Sequence, residues 1–113
     1  MTLTKKEKNI LEKYFSIYES NYSNGVYYEL ESWTDGGVDM IITLPSSSNK
    51  TVKEQLNDYI ENFDIDEEID LYREDKRYKE AFTIRESLKD FENWLSWLKD
   101  ITNELENWRE FLW

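Results

Sequence analysis

The chain's 113 residues carry 14 Lys and Arg against 25 Asp and Glu, a net charge of −11, with neither Cys nor His. That inventory excludes disulfides, thiolate nucleophiles, thiolate or imidazole metal sites and the usual triads built on a histidine base. Nucleic acid and anionic membranes recruit Lys and Arg to displace counterions, so an acidic chain is expected to bind neither and to seek a basic protein surface instead.

The length, with a single Pro and three Gly and no Ser/Gly linker, predicts one domain spanning residues 1–113. The N-terminal stretch MTLTKKEKNILEKYF is charged throughout and lacks the apolar run of a signal peptide. No segment approaches the roughly 20 apolar residues that span a bilayer, so a soluble cytoplasmic protein is expected.

Three helix starts share one device. Thr4-Lys5-Lys6-Glu7, Thr51-Val52-Lys53-Glu54 and Thr83-Ile84-Arg85-Glu86 match the capping box, in which a Thr hydroxyl and a Glu three residues later each satisfy an orphan backbone donor. The first helix is predicted from Lys5 to Ser20, with Ile10, Leu11, Tyr14, Ile17 and Tyr18 at helical spacing, and Asn21 to Gly25 reads as a turn. From Val26 the period becomes two: Val26, Tyr28 and Leu30 alternate with Tyr27, Glu29 and Glu31, and Val38, Met40, Ile42 and Leu44 alternate after Asp35-Gly36-Gly37. This predicts a β-hairpin with one apolar face, Trp33 and Tyr27 lying on the other.

Pro45-Ser46-Ser47-Ser48-Asn49 ends the second strand. A helix from Val52 to Asn62 follows, then one capped by Asp64 with Ile65, Ile69 and Tyr72 inward, then a long helix from Ile84. The expected fold class is α+β, order α-β-β-α-α-α, with a small antiparallel hairpin or three-stranded sheet packed by helices.

The most informative stretch is acidic. Between Lys53 and Arg73 there is no basic residue, while Glu54, Asp58, Glu61, Asp64, Asp66, Glu67, Glu68 and Asp70 all carry carboxylates. Helix starts favour negative charge, which accounts for part of the cluster around Asp64 to Glu68 as plain solvated capping. An EF-hand reading of Asp64, Asp66, Glu68 and Asp70 fails, because the required Gly and terminal Glu positions hold Ile69 and Asp75. A paired-carboxylate hydrolase has no spacing here that singles out two residues. No catalytic residue, metal ligand or cofactor is therefore assigned, and an enzyme is not expected. Glu54, Asp58 and Glu61 fall at i, i+4 and i+7 on one helix, a stripe whose charge density matches that of phosphates along a nucleic acid strand. Beyond it, Arg73, Lys76, Arg77 and Lys79 mix with acids and confine the negative field.

The C-terminal helix predicts a core seam of Phe91, Trp94, Leu95, Leu98, Ile101, Leu105, Trp108 and Leu112. An alternative contact lies in its aromatic residues Trp97, Trp108, Phe111 and Trp113, suited to a regulatory or structural adaptor or to a homodimer.

The hairpin ELESWTDGGVDMIITL and the run FDIDEEIDLYREDKRYKEAFTI give the chain a resemblance to a family of small acidic, mostly uncharacterised proteins of Gram-positive bacteria, their phages and conjugative elements. The resemblance covers residues 24 to 101, implies a bacterial host cell and brings no catalytic residues. In size, acidity and element order the chain is also similar to acidic phage inhibitors of host defence, of the anti-CRISPR and antirestriction type, though shorter than the longer antirestriction proteins. Together these imply a non-enzymatic inhibitor that occupies the nucleic-acid-binding surface of a host defence protein by charge mimicry.

Overall fold

The computed structural model describes residues 3–22, 25–45, 49–74 and 84–107. Its elements are α1 (Lys5–Leu11), β1 (Ser16–Tyr22), β2 (Gly25–Trp33), β3 (Asp39–Pro45), α2 (Val52–Asn62), α3 (Ile65–Glu74) and α4 (Ile84–Asn107). The fold is α+β: one three-stranded antiparallel sheet in the order β1-β2-β3, with one helix before it and three after.

The first helix is shorter than its periodicity predicts. It stops at Leu11, and the backbone N–H groups of Tyr14 and Phe15 both turn back to the Leu11 carbonyl. Ser16 to Tyr22 then pair with β2, Ile17 opposite Leu30 and Tyr18 opposite Glu29. Asn21, Tyr22 and Gly25, read from the sequence as a turn, also lie in the paired strands. An Ile-Tyr pair suits a half-buried strand as well as a helix, so the ladder with β2 decides the outcome.

The β2–β3 hairpin forms where Asp-Gly-Gly predicts it, with Trp33 opposite Asp39. Thr34 organises the turn: its carbonyl accepts from the Gly37 N–H at 2.9 Å and its hydroxyl from the Val38 N–H at 3.0 Å. Gly37 adopts φ 88°, a conformation that a residue with a Cβ enters only under strain. Asp90 of α4 reaches this turn and accepts the Gly36 N–H at 2.9 Å.

The sheet's inner face supplies Leu30, Met40, Ile42 and Leu44 to a core completed by Leu11, Val52, Leu56, Ile69 and the α4 seam of Phe91, Trp94, Leu98, Ile101 and Leu105. That seam matches its sequence spacing, with Leu95 packed at its border. Helix α4 packs against α1, α2 and α3. The capping boxes at Thr4 and Thr51 both form. Thr83, and the final residues from Trp108 onward, lie outside the described residues. Among the described residues, no helix is long and apolar enough to cross a membrane.

Candidate interaction surface

Helices α2 and α3 carry the eight acidic residues, and local structure already engages three of them. Glu54 closes the α2 capping box, its backbone N–H bound to the Thr51 hydroxyl at 3.1 Å and its carboxylate accepting from Thr51. Asp64 caps α3 as its position predicts, accepting the Glu67 N–H at 3.1 Å. Asp58 forms an ion pair with Lys50, which raises the Lys50 ammonium above its ordinary value.

The other five face outward to different degrees. Glu61, Asp66, Glu67 and Asp70 are exposed, and Glu68 is half-buried. Burial, reinforced by the neighbouring Glu67 carboxylate, holds Glu68 above the usual carboxylate range. Of the nearest lysines, Lys50 neutralises Asp58, whereas Lys53 is drawn away to Glu106 on α4 at 2.9 Å. Ile65 and Ile69 turn inward, as their spacing predicts, so the intervening acids fan out from a helix instead of wrapping one ion. Among the described residues, no three acidic side chains converge as metal ligands.

A groove of about 430 Å³ runs between β3, α2 and the start of α3. Asp58, Asp64, Glu67 and Glu68 line it with carboxylates beside the Lys50 ammonium, and Leu44, Tyr59 and Phe63 supply its apolar floor. The floor is fixed by ring packing, since the Phe63 centroid lies 5.6 Å from Tyr59 and 5.7 Å from Phe91. Such a groove attracts a cation and gives its aliphatic stem an apolar wall. Sequence spacing predicts the stripe on α2, whereas the groove depends on β3 lying beside it.

The alternative aromatic contact takes a different form. Trp97 is half-buried, with ring centroids of Trp94, Phe15 and Tyr14 at 5.1, 5.3 and 5.9 Å. It joins α4 to the α1–β1 connection instead of standing free. Trp108, Phe111 and Trp113 lie outside the described residues, as do Lys76, Arg77, Lys79 and the side chain of Arg73.

Trp33 lies on the outer face of the hairpin, as the alternation along β2 predicts. With β1 in the sheet, that face also presents Tyr18 and Ile41, and the relative exposures of Trp33, Tyr18 and Ile41 are 58%, 52% and 49%.

No family model matches the chain, and no curated protein or solved structure does either. The family resemblance and the likeness to phage inhibitors gain no support from these comparisons.

Proposed function

We propose that the chain is a non-enzymatic, acidic interaction protein whose α2–α3 surface occupies the nucleic-acid-binding surface of a basic protein. The inhibition of a host defence protein by a phage or mobile element is the setting proposed for it. The observation that carries this reading is the groove that brings Asp58 of α2 beside Asp64, Glu67 and Glu68, with Lys50 inside it paired to Asp58 and Lys53 drawn away to Glu106 on α4. Carboxylates one helical turn apart, about 5.4 Å, repeat on the scale of a phosphate backbone and suit the same Lys and Arg side chains.

The test is a salt-gradient pull-down from lysate of the cells that encode the chain. The captured protein, once purified, is assayed for nucleic acid binding with and without the chain. Competition that weakens steeply with salt supports the reading. Reversal of Glu61, Asp66 and Asp70 to Lys leaves the caps and the Lys50–Asp58 pair intact and is expected to abolish competition. A complex that survives this reversal, or a captured protein whose nucleic acid binding is unaffected, overturns it. A salt-resistant partner without nucleic acid binding would support the adaptor reading instead.

A further inference from the structure

The outer face of the sheet, where Trp33, Tyr18 and Ile41 are exposed, is a second surface, on other elements than α2 and α3. Its composition is mixed in a regular way. Alternation along β2 places Glu29, Glu31 and Trp33 on this face, and the register sets Tyr18 opposite Glu29, Ile41 opposite Glu31 and Asp39 opposite Trp33. Residues directly opposite in an antiparallel pair lie about 4.5–5.5 Å apart at Cβ, and diagonal neighbours about 7–8 Å. Each carboxylate is therefore adjacent to an aromatic or aliphatic side chain.

We propose that this face binds arginine side chains of a basic protein, with a guanidinium stacked on Trp33 and held by the Glu31 carboxylate. The planar guanidinium is weakly hydrated, stacks on indole and offers a fork of N–H donors to carboxylates. A lysine ammonium brings charge without the plane or the fork, so the face selects between the two cations. The crowding of negative charge agrees with such an occupant. Burial, then the Asp39 carboxylate, which also shares a hydrogen bond with Glu31, and last Glu29 push Glu31 above the usual range, and an incoming cation favours its charged form.

The test titrates the full chain with oligoarginine and oligolysine peptides of equal length by calorimetry, near physiological salt, where the Debye length is about 8 Å. Oligoarginine is expected to bind about five-fold more tightly. Trp33→Ala and Glu31→Gln are each expected to remove that preference, whereas Glu92→Gln, an exposed carboxylate on α4 outside both surfaces, retains it. Trp33 is exposed, so its replacement keeps the fold, which far-UV circular dichroism checks. Equal affinity for the two peptides, a preference that persists in Trp33→Ala, or no binding of either peptide overturns the proposal. So does a dimer in sedimentation equilibrium that Trp33→Ala dissociates, because the face then belongs to a second copy. The proposal fails or stands separately from the α2–α3 reading, which depends on Glu61, Asp66 and Asp70.

Discussion

Tyr14 donates its phenolic hydrogen bond to Glu104, 90 positions later in the chain. Lys13 binds the other oxygen of the same carboxylate, so the α1–β1 connection is tied to the last turns of α4. The hydrogen bonds from Lys13, then Tyr14, lower Glu104 from its ordinary 4.5. The same carboxylate raises Lys13 and Tyr14 above their ordinary values of 10.5 and 10.0.

A carboxylate with a depressed folded value contributes stability above its unfolded value and loses it as pH falls through the folded one. Glu104→Gln is therefore expected to lose about 0.5–1 kcal/mol at neutral pH, the modest scale of a solvated ion pair. It should also flatten the decline of stability below pH 4.5. Urea denaturation of both chains across the acid range measures the difference. Lys13 and Tyr14 act at the other end: their raised values add stability below their ordinary ones, and it is lost as pH rises through the folded values.

Gly37→Ala isolates backbone strain from crowding. A Cβ at this position meets nothing within 4 Å, while φ stays at 88°. The expected cost is about 1 kcal/mol, all of it from the left-handed conformation. Thermal melting should show a fall of about 4–8 °C.

The capping box at α2 predicts a graded response. Thr51→Ala removes the acceptor for the Glu54 N–H and is expected to cost about 1 kcal/mol, whereas Thr51→Ser retains the hydroxyl and most of the stability. Chemical denaturation midpoints of the two variants test this directly.

Glu68 has the opposite pH signature to Glu104. Its folded value is raised by burial and then by Glu67, so its stabilising contribution is present below the ordinary 4.5 and lost as pH rises through the folded value. Glu68→Gln removes that loss. After allowance for solvent screening, a gain of about 0.3 kcal/mol is expected at neutral pH, vanishing at acid pH. Melting curves of wild type and variant should converge as the buffer is acidified.

The parts of the fold legible in the sequence are those set within a few residues. Thr4 and Thr51 announce their helices because a cap needs only a hydroxyl and a Glu three positions on, and Phe91, Trp94, Leu98, Ile101 and Leu105 trace one face of α4 by spacing alone. Strand β1 was not legible, because Ile10, Leu11, Tyr14, Ile17 and Tyr18 fit one helical face and only pairing with β2 overrides that fit. The same omission concealed Tyr18 beside Glu29 on the outer face. On the acidic surface, charge was visible in the sequence, and so was Asp64 as a cap. The engagement of Asp58 by Lys50 crosses the α2 cap from a residue eight positions earlier, outside any helical spacing.

Helix α4 is the common partner of α1, α2 and α3 and follows all of them in the chain. During synthesis at about 5–20 residues per second, the earlier elements leave the ribosome without the residues that enclose them. Leu30, Ile42 and Leu44 lack part of their core until Phe91 to Leu105 emerge. The nascent sheet passes through an interval in which its inner face is open to chaperones, and the high negative charge of the segments already made keeps neighbouring nascent chains apart.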